Sequence, residues 1–242
     1  MKRLFRKHKR QRILLVGCAV FFFQLAEMPE ISAWADSLLP SSAKTKSSIS
    51  LNAQEHHTVH EKKKVLVRKQ PTNGKPGKIF EAVAIMEAKR EVILDIVLNY
   101  ARYPDFMPNV SHVEILQQDE STALLNYTLV LPLGKIKKYR VRMKATEPDD
   151  QTSLIQWHLE QWPGLEPEET IRDTTGFWRI ETLDAKRSLV LYHVYTDPGK
   201  IPFGLGWIVD LLGKDSMPDV LLQTKKRTEK VSALLKAQEE ES

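Results

Sequence analysis

The sequence predicts an α+β domain in which about seven antiparallel strands lie between two amphipathic helices. Apolar residues recur every three or four positions over residues 92–100 and again over 220–235, which is the spacing of one helix face. From about residue 110 to 196, apolar and polar residues alternate instead. A period of two is typical of strands in an antiparallel sheet that has one covered and one solvated face.

The first predicted elements are a hairpin and a helix. Two β-prone runs at 65–67 and 79–86 are separated by an Asn-Gly pair and a Pro-Gly pair, which favour a hairpin connection. The helix over 92–100 comes next. Pro104 ends it, because proline has no backbone N–H group and disfavours a helical residue before it.

The strands that follow are joined by short connections, so we expect a meander. Alternation is clearest around Tyr139, Val141 and Met143, which share one face while lysine and arginine occupy the other. Four of the expected strands lie at 138–144, 153–162, 176–183 and 188–196.

A second helix closes the chain. It begins near Pro218 and Asp219, since proline and an acidic residue are both suited to a first helical turn. Its apolar stripe is expected to consist of Val220, Leu221, Thr224, Thr228, Val231, Leu234 and Leu235. Residues 239–242 are expected to form a solvated tail, which leaves a folded domain over 62–238.

The first 35 residues have the layout of a secretory signal peptide. A basic region is followed by an apolar run over 13–26 and by Ala-Trp-Ala at 33–35, a small-x-small cleavage site. The run is shorter than the roughly 20 residues that span a bilayer. We therefore expect export to the periplasm or cell envelope, with membrane anchoring if the segment is not cleaved. Cys18, the only cysteine, lies in this run, so a cleaved protein would contain no disulfide.

The net charge of +5 arises entirely within this segment, and the rest of the chain holds 29 basic and 29 acidic residues. A neutral domain lacks the excess positive charge that drives nucleic-acid binding, so we expect no such partner. Residues 36–61 are rich in Ser, Lys, His and Gln, a composition that predicts a disordered linker. His56, His57 and His60 lie in it without a completing cysteine or carboxylate, so no metal site is predicted.

The order of these motifs resembles the START-like (SRPBCC) superfamily. The resemblance covers about residues 63–237 and rests on the hairpin, Tyr-Pro-Asp-Phe-Met-Pro at 103–108, Gly-Phe-Trp at 176–178, Tyr192 and Asp-Pro-Gly-Lys-Ile-Pro at 197–202. Within the superfamily the sequence resembles the bacterial polyketide cyclase/dehydrase and lipid transport branch, and it is also similar to coenzyme Q-binding proteins. The resemblance implies a helix-grip fold, in which the sheet wraps around the C-terminal helix and leaves an apolar cavity.

The resemblance makes the inward-facing strand residues candidates for binding a ligand. The cavity candidates are Tyr127, Leu129, Tyr139, Val141, Met143, Ile155, Trp157, Trp178, Ile180, Tyr192 and Trp207. The rim or lid candidates are Phe106, Met107, Gly204 and Gly206. The alternative is that the aromatics fill a solid core and that the glycines form only a close-packed turn.

The predicted function is therefore to bind a lipid or other apolar small molecule, and transport of that molecule is left open. Transient contact with a membrane surface is also predicted, and no cofactor is expected. His158 and His193 have no evident catalytic partner in the sequence, so no catalytic residue is predicted and a binding protein is favoured over an enzyme. Two alternatives stay open. One is a polyketide aromatase/cyclase with inward acid or base groups, and the other is an envelope interaction module without a pocket.

Overall fold

The structure is a computed structural model that describes residues 49–199 and 216–240. Within these ranges it contains three α-helices, one of them a single turn, and eight strands. The helices are α1 (Ala53–His56, continued by a π-helix at His57–Glu61), α2 (Arg90–Leu98, followed by a 3₁₀ turn at Tyr100–Asp105) and α3 (Ser216–Glu240). The strands are β1 (Leu66–Gln70), β2 (Lys78–Met86), β3 (Val110–Gln118), β4 (Thr122–Leu131), β5 (Lys135–Asp149), β6 (Thr152–Glu160), β7 (Asp173–Thr182) and β8 (Ser188–Asp197).

The eight strands form one antiparallel sheet in the order β1-β2-β8-β7-β6-β5-β4-β3. The predicted α+β class, the β1–β2 hairpin and the meander are confirmed. The sheet has eight strands, whereas about seven were predicted. Position 77, just before β2, requires glycine. Gly77 has a φ of 93°, and an added Cβ would lie 2.5 Å from the Thr196 carbonyl oxygen on β8.

Alternate residues of the strands form an apolar inner face. One row of cross-strand neighbours consists of Phe80, Val194, Gly176, Trp157, Met143 and Ala123, on six consecutive strands of the sheet. α3 packs against β1, β2 and α2 on this side. The sheet and α3 together give the expected helix-grip arrangement.

α2 closes one end of the inner face. Its Ile93 and Val97 are fully buried in the main hydrophobic core. Tyr103, in the following 3₁₀ turn, is also buried, and its hydroxyl donates a 2.6 Å hydrogen bond to the Val97 carbonyl oxygen. The Tyr-Pro-Asp-Phe-Met-Pro motif is thereby held against the helix that precedes it.

α3 buries less of its stripe than the sequence predicts. Leu221, Thr224 and Thr228 are fully buried, whereas Leu234 and Leu235 are 58% and 43% exposed. Helical spacing identifies the face that is apolar, but not how far along the helix a partner surface continues. The helix also runs to Glu240, so it includes the start of the tail expected at 239–242. No helix within the described ranges is long and apolar enough to cross a bilayer.

Residues 49–61 correct the linker expected over 36–61, of which residues 36–48 lie outside the described residues. Asn52 and Glu55 form a capping box at the start of α1, each side chain bonding the other's backbone N–H group. Val59 is fully buried and belongs to a second core with Val83 and Ile85 on the outer face of β2. The average composition of the segment does not reveal this cap or the burial of Ile49 and Val59 against the sheet.

A chain of ion pairs joins this segment to the outer face of the sheet. Arg68 donates two 2.7 Å hydrogen bonds to Glu55 and lies 3.5 Å from Glu81, which in turn lies 3.1 Å from the His193 imidazole. Burial raises the pKa of the Glu81 carboxyl, but hydrogen bonds with His193 and Gln70 and the charge of Arg68 outweigh it and lower that pKa below its ordinary value. His193 is therefore part of a structural network outside the inner face.

We predict that Val59→Ala lowers the free energy of unfolding by about 2 kcal/mol, because it removes two buried methyl groups between the π-helix and the sheet. Urea unfolding followed by circular dichroism measures this. The exposed substitution Gln54→Ala in α1 is the control and should change stability by less than about 0.5 kcal/mol. Equal effects of the two substitutions would show that the segment does not contribute to the fold.

Candidate functional site

A cavity of about 230 Å³ lies between the inner face of the sheet, the 3₁₀ turn and the first turn of α3. Among the described residues, its lining consists of Lys78, Phe80, Tyr103, Met107, Pro108, Asn109, Val110, Tyr127, Leu129, Leu131, Tyr139, Val141, Met143, Trp157, Ile171, Thr174, Trp178, Tyr192, Val194, Thr196, Pro198 and Val220. Apolar walls with a few polar groups are the usual composition of a small-molecule site.

Most of the predicted cavity residues lie together in this lining. They are Tyr127, Leu129, Tyr139, Val141, Met143, Trp157, Trp178 and Tyr192, and Met107 of the predicted rim joins them. Their shared position follows from strand alternation, since every second residue of β4 to β8 faces the same side. Their role in binding a ligand stays a prediction.

Three predicted site residues do not line the cavity. Ile155 and Ile180 are fully buried in the main core, on strands that contact α2 at the closed end of the sheet. Phe106 packs edge-on against Tyr103, with ring centroids 5.6 Å apart, and beneath the Arg227 guanidinium at 5.1 Å. Phe106 therefore joins the 3₁₀ turn to α3. Alternation predicts the face on which a strand residue lies but not its distance from the covering helix. For this reason Ile155 and Ile180 were predicted to line the cavity but lie in the core beside α2.

The remaining site candidates, Trp207, Gly204 and Gly206, lie outside the described residues. So does the signal peptide expected over residues 1–35.

Several lining residues were not predicted from the sequence, although a sequence signal exists for some of them. Phe80 and Val194 are next to each other in the β2–β8 register and share the inward parity of Tyr192. Tyr103 lies within the very motif that supplied two rim candidates. Ile171 and Val110 carry no such signal, because each lies at or just before the start of a strand.

Aromatic side chains line two sides of the cavity. Tyr103, Tyr127 and Tyr139 form a tyrosine wall, in which the rings of Tyr127 and Tyr139 stack 5.2 Å apart at an angle of 3°. Trp157, Trp178 and Tyr192 form a tryptophan wall, with Tyr192 4.5 Å from Trp178 and 5.6 Å from Trp157. These walls present large, rigid apolar surfaces to a ligand.

Gly176 makes room for the tryptophan wall. It lies opposite Trp157 in the β6–β7 register, and a Cβ at this position would come within 2.3 Å of the indole ring and of the His193 carbonyl oxygen. The indole Nε1 lies 3.5 Å from the Thr174 hydroxyl, which donates to the Tyr195 carbonyl oxygen at 3.0 Å. The missing side chain on β7 thus allows Trp157 to lie across that strand.

The tyrosine hydroxyls are the main polar groups of the lining. The Tyr103 hydroxyl is already bonded to Val97, but no hydrogen bond within the described part of the chain engages those of Tyr127, Tyr139 and Tyr192. Burial raises the pKa of all three phenols well above the ordinary value, so they stay neutral at physiological pH. Neutral phenols donate hydrogen bonds to an acceptor.

Charged groups lie mostly outside the cavity. Lys78 is the one charged side chain in the described lining. His158 and His193 alternate with inward-facing residues and pair with Glu160 and Glu81, respectively. His56 stacks on His60 with ring centroids 4.0 Å apart, and no group of three metal-ligating side chains occurs within the described ranges.

A curved antiparallel sheet that grips a C-terminal helix and encloses an apolar cavity defines a START-like domain. The structure of a STAR-related lipid transfer protein fragment from Xanthomonas axonopodis is similar, with a TM-score of 0.61 and 15% identity over 75% of this chain and 97% of that one. The aromatase/cyclase Zhui from Streptomyces sp. R1128 has a TM-score of 0.50 and 15% identity over 68% and 94% of the two chains. Human STARD10 has a TM-score of 0.58 and 13% identity over 76% and 82%.

The chain belongs to the family described as polyketide cyclase / dehydrase and lipid transport, whose model matches residues 86–216, more than half of the 242 residues. No curated protein matches it. The structural neighbours have too little identity to show more than the fold. The similarity to coenzyme Q-binding proteins stays a prediction.

We predict that Gly176→Ala destabilises the fold by about 3 kcal/mol, because the new methyl group would overlap both the Trp157 indole and the β8 backbone. Chemical unfolding measures the loss. Thr175→Ala, the neighbouring position on the opposite face of β7, is the matched control and should cost less than about 1 kcal/mol. If Gly176→Ala unfolds at the wild-type denaturant concentration, the packing described for Trp157 is wrong.

Proposed function

We propose that this protein binds a lipid or another apolar small molecule in the cavity. The observation that carries the proposal is that the inner-face aromatics surround about 230 Å³ of space instead of filling it. Transfer of apolar ligand surface from water into such a site contributes about 25 cal/mol per Å². The description of the family as including lipid transport and the lipid transfer protein among the structural neighbours support the proposal.

The tyrosine hydroxyls indicate which functional group the proposed ligand carries. Three neutral phenols line a mostly apolar cavity without a hydrogen-bond partner in the described chain. A ligand that carries a carbonyl, hydroxyl or ester oxygen beside these phenols would accept a hydrogen bond from one of them, which contributes about 1 kcal/mol net. The ligand we propose is therefore apolar in most of its surface and has an oxygen acceptor facing Tyr127, Tyr139 and Tyr192.

The proposed place of action is the periplasm or the cell envelope. The signal-peptide pattern of residues 1–35 supports export, and the protein would be anchored to the membrane if that segment is retained. An exported protein of this kind would carry an apolar molecule through water between two membranes or between a membrane and an enzyme. This proposal concerns the compartment in which the protein acts, and it is independent of the proposal that the cavity binds a ligand.

The cyclase alternative is weaker for this chain. A cyclase would need a group that gives or takes protons in the cavity, and the described lining offers only high-pKa phenols and Lys78. The Streptomyces aromatase/cyclase among the structural neighbours shares the fold alone. The interaction module without a pocket is disfavoured by the cavity.

We predict that an apolar molecule accompanies the protein when it is purified from its own cells, and that native mass spectrometry detects it as added mass. Leu129→Trp should remove this mass and weaken binding of the neutral probe N-phenylnaphthylamine at least about tenfold, because the larger side chain occupies the cavity.

The matched control is Thr128→Trp, the adjacent β4 position that faces the other side of the sheet. It adds the same indole outside the cavity and should keep both the bound mass and the probe affinity. The proposal fails if wild-type protein carries no ligand and binds no probe, or if both variants bind equally well.

We predict that Tyr139→Phe weakens binding of menadione, which has two carbonyl oxygens, about fivefold, the value of one net hydrogen bond. Binding of methylnaphthalene, which has a similar ring system without oxygen, should not change. Displacement of N-phenylnaphthylamine measures both affinities. Tyr195→Phe is the control, because the Tyr195 hydroxyl donates to the Pro76 carbonyl oxygen outside the cavity. Equal weakening of both compounds would indicate lost packing instead of a lost hydrogen bond.

A further inference from the structure

Two histidines of the segment that packs on the outer face of the sheet have stacked rings. The segment contains α1 and the π-helix that continues it, and its sequence has histidine at positions 56, 57 and 60. The imidazole centroids of His56 and His60 lie 4.0 Å apart, and the two rings are within 6° of parallel. His56 is exposed and His60 is partly exposed. We call these two residues the histidine pair.

The π-helix brings the two rings together. The Lys62 N–H group donates a 3.1 Å hydrogen bond to the His57 carbonyl oxygen, five positions earlier in the chain. A helix with this bonding pattern has more residues per turn than an α-helix, so side chains four positions apart lie almost directly above each other. Single π-turns are rare and occur frequently at functional sites, which makes their side chains worth examining for a ligand.

The backbone that carries the histidine pair is fixed to the sheet on both sides of it. Before the pair, Glu55 belongs to the capping box of α1 and accepts two 2.7 Å hydrogen bonds from Arg68 on β1. Between the two histidines in the chain, Val59 is fully buried against the outer face of β2. The two imidazoles are therefore held close together without a ligand, which lowers the entropy cost of binding one.

The charged groups around the histidine pair are engaged with other partners. His57, on the next row of the helix, forms an ion pair with Glu61. Arg187, whose charge acts on His60, is held by the Asp184 carboxylate at 2.7 Å. The histidine pair itself makes a ring stack but no hydrogen bond or ion pair with the part of the chain that the structure describes. Its ring nitrogens are therefore not committed to another described side chain.

We propose that the histidine pair chelates a divalent transition-metal ion of the class of Zn²⁺ and Cu²⁺. Imidazole nitrogens bind such ions at about 2.0–2.1 Å, so two of them on a tetrahedral ion lie about 3.4 Å apart. The 4.0 Å spacing of the rings is close to this separation, and rotation of the two side chains converts the stack into a chelating pair. Imidazole favours these ions over Mg²⁺ and Ca²⁺, which prefer oxygen ligands.

Water completes the coordination of the proposed ion. No group of three metal-ligating side chains occurs among residues 49–199 and 216–240, so the described chain supplies two ligands and not the four of a structural zinc site. The ion would connect the end of α1 to the π-helix, and because it binds only the folded form it would stabilise that form. The expected consequence is a metal-dependent attachment of residues 49–61 to the outer face of the sheet. This proposal does not depend on the cavity, which lies on the inner face.

The test needs a local readout, because Cys18 and the other histidines of the full chain can also bind metal ions. Hydrogen–deuterium exchange of the full chain, first stripped with a chelator and then measured with and without Zn²⁺, reports on the segment alone. We expect Zn²⁺ to slow exchange of the amides at 57–64 in the wild-type protein, because the ion opposes opening of the π-helix. Mg²⁺ at the same concentration should have no effect.

Three single variants assign the ligands. His56→Gln and His60→Gln should each remove the protection by Zn²⁺ and raise the Zn²⁺ concentration that half-saturates the site at least about tenfold, because one imidazole cannot chelate. His57→Gln is the matched control, since His57 is exposed on the same turn but pairs with Glu61, and it should keep the wild-type response. With Cu²⁺ as the probe, electron paramagnetic resonance should show one coordinated nitrogen fewer in each of the first two variants than in the wild type.

The proposal is overturned if Zn²⁺ leaves exchange at 57–64 unchanged in the wild-type protein, or if His56→Gln and His60→Gln keep full protection. It is also overturned if His57→Gln loses the response while His56→Gln keeps it, which would place the ion on His57 and Glu61 instead. Binding of N-phenylnaphthylamine in the cavity should be the same in all three variants. Failure of the metal site and failure of the cavity to bind a ligand are therefore distinguishable.

Discussion

The structure depends on one constraint, which is that within the described ranges only α2 and α3 pack against the apolar inner face of an eight-stranded sheet. α2 covers one end, where it buries Ile155 and Ile180 completely. α3 packs beside β1 and β2, and among its described side chains Val220, near its start, lines the cavity. The large aromatics of β4 to β8 line the cavity that is left between these elements. The cavity is thus a consequence of how the sheet is covered and not of a single special residue.

The two faces of the sheet divide the polar groups between structure and recognition. The outer face holds the charged residues in pairs, such as Arg68 with Glu55 and Glu81 with His193, where each charge has a partner within 3.1 Å. The inner face holds phenols that burial keeps neutral. Selection of a ligand in such a site would depend on shape and on single hydrogen bonds, because a cavity without paired charges gives little electrostatic preference.

The two ends of the sheet are also unlike each other. At one end the sheet is sealed by α2 and by the hydrogen bond from the Ser188 hydroxyl to the Ala88 carbonyl oxygen. At the other end Leu129 and Leu131 line the cavity, while Val130 and Ile136 on the reverse face of the same hairpin are solvated.

The class of fold and the face on which the strand residues lie could be predicted from the sequence, because both follow from periodicity and from local breakers such as Pro104 and Gly77. Most of the cavity residues predicted in this way, including Tyr139, Val141, Met143 and Trp157, lie in the described lining, because strand alternation places side chains on one face whatever the order of the strands. Three features could not be predicted and are known only from the three-dimensional arrangement: Ile155 and Ile180 belong to the solid core, residues 49–61 pack on the outer face, and Gly176 makes room for Trp157. These outcomes depend on which element covers which part of the sheet, and that is set by contacts between residues far apart in the chain.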